Sequence, residues 1–99
     1  MFKKKYYGTF AVIDFKTAVA DTYEDLGIQI EKEFGHLDGL LHNAALLGLP
    51  TSIEQYAPDT WAQVMQVNLN APFLLTRYLL PLLRKSTAGQ ILFTSSSLG

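Results

Sequence analysis

Three polar groups in the chain have the residue types that could bind a nucleotide or act on a substrate. They are His42-Asn43-Ala44-Ala45, Val67-Asn68-Leu69-Asn70 and Phe93-Thr94-Ser95-Ser96-Ser97. Amides and hydroxyls donate and accept hydrogen bonds, and a hydroxyl can polarise a carbonyl group. One such group alone is typical of a turn or a helix cap. Three of them next to apolar segments favour a site, because unused polar groups there cost free energy.

The segments that would position these groups alternate between the periods of strands and helices. Short apolar runs at residues 9–14, 37–41 and 90–94 predict three strands, the first of them buried on both faces. Apolar residues at helical spacing from Val19 onward predict a helix that Gly35 ends, and Pro58 favours the start of a longer one. Strands and helices that alternate in this order form a parallel sheet.

Polar residues stand where the predicted strands stop. Asp14, Asn43 and the run from Ser95 to Ser97 each follow a strand. In open parallel sheets ligands bind beyond the carboxyl ends of the strands, so we expect these residues along one edge.

Asn68 interrupts the apolar stripe predicted for the long helix. The stripe comprises Trp61, Val64, Met65, Leu69, Pro72, Leu75, Tyr78 or Leu79, and Leu82. Pro72 has no N–H, so the carbonyl of Asn68 loses its usual helical partner. We therefore expect a kink near residues 68–72, with that carbonyl open to water or a hydroxyl. The alternative is an asparagine whose side chain is bound by neighbouring backbone.

Composition limits the class of protein. The chain has 99 residues, is 48% hydrophobic and 17% charged, and has a net charge of −1, which predicts one globular unit. The charge gives no reason to expect a nucleic acid or an anionic membrane as partner, and Lys3-Lys4-Lys5 is interpreted as a solvated terminus. There is no cysteine, which favours the cytoplasm, and neither a targeting segment, a membrane span nor a metal site is predicted.

The three groups together resemble the short-chain dehydrogenase/reductase family. Its asparagine-rich motif after the fourth strand is matched by His42 to Ala45, its helix asparagine by Asn68, and its serine after the fifth strand by Ser96. Ser95 or Ser97 would match the family serine instead if the motif were aligned one residue earlier or later. The residues of the first and third motifs are similar to those of a bacterial subgroup, the YciK-like oxidoreductases.

The resemblance implies a fold, a cofactor and roles. The fold is a partial doubly wound parallel α/β sheet of Rossmann type, an incomplete three-layer arrangement, forming one domain over residues 1–99. The cofactor is NAD or NADP, contacted by Asp14, Asn43, Ala44 and Ala45, and the substrate is an alcohol or carbonyl compound. Ser96 and Asn68 are the implied catalytic residues, and a homo-oligomer or self-association is expected.

The sequence also departs from the family pattern. It contains no T-G-x-x-x-G-x-G phosphate loop and no Y-x-x-x-K catalytic pair, so we expect the isolated chain to be inactive. In the family's sheet order, a gap two strands wide would separate residues 9–14 from residues 37–43. Either the first strand pairs beside the second, or another chain fills the gap, or the sheet belongs to a larger protein.

Two readings from other classes stay open. One is a non-catalytic truncated module, or a gene remnant, that acts through protein association. The other is an unrelated flavodoxin-like nucleotide binder.

Overall fold

The computed structural model describes residues 3–5, 8–48 and 50–95. The strands are β1 (Lys3–Lys5), β2 (Gly8–Phe10), β3 (Gly39–His42) and β4 (Gln90–Phe93). The helices are α1 (Ala20–Phe34), α2 (Pro58–Met65) and α3 (Ala71–Arg84), with a 3₁₀ turn at Ile53–Gln55 and a π segment at Gln66–Asn70.

Helix α1 begins and ends as its sequence predicts. The Thr22 hydroxyl accepts a hydrogen bond from the Val19 N–H at the start of the helix. Gly35 ends it in the left-handed region with φ 79°, a conformation that glycine adopts without strain. Tyr23, Gly27 and Ile30 are its buried residues.

The long helix is three elements, because a π segment separates α2 from α3. The Ala71 N–H donates to the Gln66 carbonyl five residues earlier, which is the π pattern. The expected irregularity is therefore present, and it lies at residues 66–70.

The π segment also explains an error in the predicted apolar stripe. Trp61 and Leu69 are 58% and 57% exposed, and Asn68 is exposed as well, whereas Val67 and Ala71 are buried. Five residues in one π turn rotate the buried face relative to a continuous α-helix. The expectation that Asn68 lies in the buried stripe is wrong for that reason.

The core lies between α1 and α3. Its buried members are Ala18, Tyr23, Ile30, Ala71, Leu75, Leu79 and Leu82. Gly27 permits the close approach of the two helices, since a Cβ at this position would lie 3.1 Å from the Tyr78 carbonyl oxygen.

Strands β3 and β4 are parallel and in the expected order. Leu40 pairs with Ile91, and Leu41 pairs with Leu92. Helix α3 contacts β3, so this pair of strands and the helices form an α/β unit. Leu41 and Leu92 are 62% and 57% exposed. The second helical layer of a three-layer fold is therefore not seen among residues 3–5, 8–48 and 50–95.

The first predicted strand differs from the expectation. Only Gly8–Phe10 is a strand, and it pairs antiparallel with β1 rather than with β3. Lys3-Lys4-Lys5 is thus a strand in its own right rather than only a solvated terminus. Val12 is 80% exposed, so burial on both faces is wrong for this segment. The hairpin supplies backbone partners to residues 8–10, and in the described part of the chain no strand lies beside residues 11–14.

Candidate functional site

Asn68 binds the backbone that follows β3. Its side-chain Oδ1 accepts from the Leu46 N–H, and its Nδ2 donates to the Leu46 carbonyl, both at 2.8 Å. The amide of Asn68 therefore forms with Leu46 the pair of bonds that a neighbouring peptide unit would form. The alternative of an asparagine bound by neighbouring backbone is the arrangement found.

Asn43 connects the ends of the two parallel strands. Its Oδ1 accepts a hydrogen bond from the Thr94 hydroxyl at 2.9 Å, and the Thr94 N–H donates to the His42 carbonyl at 3.0 Å. With Oδ1 engaged by Thr94, the Nδ2 group of Asn43 is directed to the other side as a donor. Asn43, Ala44 and Ala45 are all exposed.

His42 fixes the base of the same loop. It is 9% exposed, its Nε2 lies 3.0 Å from the Thr76 hydroxyl of α3, and its ring stacks on Phe93 at 4.7 Å between centroids. Burial lowers the pKa of His42, because the charged imidazolium is poorly solvated there. A neutral His42, the last residue of β3, therefore connects this strand to β4 and α3 directly before Asn43.

Asp14 closes a turn with its own side chain. Its Oδ1 accepts from the Lys16 N–H at 2.9 Å, and its carbonyl accepts from the N–H groups of Thr17 and Ala18. The carboxylate is exposed and retains further acceptor positions, because each carboxylate oxygen has two lone pairs. The turn presents Asp14 to solvent before α1 begins.

One cleft of about 170 Å³ borders these loops. Phe15, which follows Asp14, lies on it together with Asn43 and Ala44, and Val67 and Pro72 come from the helical side. We call Asp14, Asn43, Ala44, Ala45 and Asn68 the strand-end site. The expectation that Asp14 shares one sheet edge with Asn43 is wrong, because β2 ends at Phe10 and belongs to a different sheet from β3 and β4. The structure connects the loop from Asn43 to Ala45 with Asn68 through Leu46. Phe15, next to Asp14, lines the same cleft as Asn43.

The structure places only part of the serine run that follows β4. Ser96 and Ser97 lie outside the described residues, and Ser95 is exposed after β4. Across the described ranges, no group of three or more metal-ligating side chains is found. No helix in the part of the chain that the structure describes has the length and hydropathy to cross a bilayer.

Sequence reasoning missed the partners that hold the site. The sequence places Thr76 in an apolar segment and Thr94 in the polar run that ends at Ser97, but it does not show that their hydroxyls reach His42 and Asn43. The one signal was Thr94 itself, which directly follows β4 and is polar at a strand end. Leu46 gave no signal, because it contributes only backbone groups.

Two parallel strands with helices packed against one face, and polar loops at the carboxyl ends of the strands, define a partial α/β fold of the Rossmann-like class. A family model described as short chain dehydrogenase matches residues 3–99. The chain belongs to the short-chain dehydrogenase family of oxidoreductases.

Three relatives are similar to this chain over most of its length. The oxidoreductase YciK of Escherichia coli K12, described as uncharacterized, is 47% identical over 88 residues, which is 89% of this chain and 35% of YciK. A Pseudomonas syringae structure described as a short chain dehydrogenase superimposes with a TM-score of 0.86 at 49% identity, over 89% of this chain and 36% of that one. The structure of a Shigella flexneri relative complexed with NADP superimposes with a TM-score of 0.82 at 45% identity, over 87% of this chain and 36% of that one. The chain therefore spans about a third of the length of these relatives.

Proposed function

We propose that this chain supplies part of the cofactor and substrate site of an NAD(P)-dependent oxidoreductase that acts on an alcohol or carbonyl compound. The observation that carries the proposal is the double hydrogen bond between Asn68 and Leu46, which fixes the loop of Asn43, Ala44 and Ala45 at the end of β3. The family membership and the strand-end position of this loop support the same conclusion.

The residues present fit a dinucleotide. Asn43 has a donor directed away from Thr94, and Ala44 and Ala45 are exposed with small side chains, so a planar ring can approach their backbone. Asp14 has the acceptors to bind an exocyclic amino group of adenine. NADP is favoured over NAD by relatives from Shigella flexneri and Escherichia coli, which were crystallised with NADP and NADPH.

The proposed catalytic residues are Asn68 and Ser96. The nicotinamide, when bound, supplies hydride transfer. Ser96 would donate a hydrogen bond to the substrate oxygen. Asn68 would hold the cofactor loop through Leu46, while its backbone carbonyl, within the π segment, would bind water. The Pro72 ring removes one competing N–H from that carbonyl.

We propose that the chain by itself does not catalyse the reaction. None of its tyrosines has a lysine four residues later, so no pair of that kind can deliver a proton to the substrate oxygen. The proposed domain is a single partial cofactor-binding unit over residues 1–99, located in the cytoplasm.

The second candidate is a non-catalytic module that acts through association with itself or with another protein. The exposure of Leu41, Leu92 and Phe93 on β3 and β4 favours it, since apolar sheet surface tends to be covered in an assembly.

Isothermal titration of the chain with NADPH and NADH tests the proposal. We expect weak, saturable binding, because no glycine-rich loop binds the phosphates, and weaker binding for Asn68→Ala. Gln63→Ala, a change at an exposed position of α2, should bind as the unchanged chain does. Absence of binding, together with concentration-dependent association in sedimentation, would favour the second candidate. Equal affinities for Asn68→Ala and Gln63→Ala would contradict the role of Asn68.

A further inference from the structure

Gln66, which is outside the strand-end site, binds the backbone of Ala18. Its Nε2 donates to the Ala18 carbonyl over 3.4 Å, and its Oε1 accepts from Asn70 Nδ2 at 3.1 Å. Ala18 is the residue whose N–H closes the turn on the Asp14 carbonyl. Gln66 therefore connects the π segment to the turn that presents Asp14.

Asn70 gives this contact its direction. An asparagine amide that donates to Gln66 must meet the oxygen of the glutamine amide, so the nitrogen of Gln66 points to Ala18. Ala18 is 9% exposed, so its carbonyl has little access to water and benefits from a protein donor.

The same π segment also binds the loop that follows β3. Gln66 and Asn68 are two residues apart, close to half a turn of a π helix, so their side chains lie on opposite sides. Gln66 meets Ala18 on one side, and Asn68 meets Leu46 on the other. The two loops that border the cleft are thus both bound by side chains of one five-residue segment.

We propose that Gln66 is a positioning residue of the nucleotide site: it fixes the turn that presents Asp14, while Asn68 fixes the loop from Asn43 to Ala45. This inference rests on the proposed function, because the turn and the loop would hold the two ends of one cofactor. The π segment is then the element that sets the spacing between the two ends.

Amide hydrogen exchange measured by NMR separates the two contacts. The Ala18 N–H reports on the Asp14 turn, and the Leu46 N–H reports on Asn68. In Gln66→Ala we expect exchange at Ala18 to accelerate by roughly five-fold, the size expected for one net hydrogen bond, with Leu46 unchanged. Gln66→Glu, which keeps an acceptor for Asn70 but cannot donate to Ala18, should behave in the same way, and Gln63→Ala should change neither amide.

Adenosine 5′-monophosphate provides the readout that a purely structural contact would not alter. We expect it to shift amide signals of residues 14–18 in the unchanged chain, with an affinity at least about three-fold weaker in Gln66→Ala and Gln66→Glu. Unchanged exchange at Ala18, or accelerated exchange with unchanged affinity, would overturn the inference. If the unchanged chain shows no shifts with this nucleotide, the proposed function fails, while the exchange data still decide whether Gln66 fixes the turn.

Discussion

Asn68 and Leu46 form a closed pair of hydrogen bonds, with the asparagine amide taking the place of a peptide group at 2.8 Å on each side. Asn68 follows α2 by three residues, and Leu46 lies four residues beyond the end of β3. The pair therefore holds the polar loop after the strand against the helix. The cofactor proposal depends on this loop being ordered before anything binds to it.

Replacing Asn68 should destabilise the chain. Asn68→Ala removes two hydrogen bonds and leaves both backbone groups of Leu46 without this partner, and we expect a loss of about 1–2 kcal/mol in the free energy of unfolding. Urea denaturation measures it. Gln63→Ala, on an exposed turn of α2, is the matched control and should change stability little. A variant as stable as the control would mean that the pair is not formed in solution.

His42 should make stability depend on pH. Burial lowers the pKa of His42 in the folded chain below its ordinary value of 6.5. The unfolded chain then takes up the proton first as the pH falls below about 6.5, so stability decreases on acidification and is fully present above that pH. His42→Asn should remove this decrease in stability below about pH 6.5.

The exposed histidine provides the control for this pH effect. His36 lies 3.2 Å from Asp38, and its side chain is 48% exposed. His36→Asn should therefore retain the decrease in stability. If thermal melting shows the same pH profile for both variants and the unchanged chain, His42 is not buried as described.

Tyr23→Phe should stabilise the chain. The Tyr23 ring is fully buried against Phe15, and among the described residues its hydroxyl finds no hydrogen-bond partner. The same burial raises the pKa of this tyrosine. Removing the hydroxyl removes an unpaired buried group, and we expect a gain of about 1 kcal/mol. Tyr78→Phe, at a half-buried position, is the control in thermal melting, and a loss of stability in Tyr23→Phe would show that the hydroxyl has a partner.

The sequence predicted the regular elements because their signals are local. The apolar spacing of α1 and the glycine after it gave that helix within one residue, and Pro58 marked the start of α2. The apolar runs around Leu40 and Ile91 predicted two parallel strands, and the structure pairs these two residues. The resemblance to the short-chain dehydrogenase/reductase family is confirmed, because the family model matches residues 3–99.

The sequence did not predict features that depend on distant partners. The π segment changes which residues of the long helix are buried, and Pro72 indicated its position but not its type. For the first strand the sequence left three arrangements open, of which pairing beside β3 was one. The strand pairs with β1 instead, because pairing depends on which backbone is near. The contact of Gln66 with Ala18 spans 48 residues, which no local pattern reveals.

The measurement that tests the central claim most directly is NMR mapping of NADPH binding to the isotope-labelled chain. We predict that the shifted amide signals belong to residues 14–18 and 43–46, two segments that contain the cleft residues Phe15, Asn43 and Ala44. Shifts confined to other regions, such as the surface around Tyr56 and Trp61, or no shifts at all, would contradict the proposal that the strand-end site binds a nicotinamide cofactor.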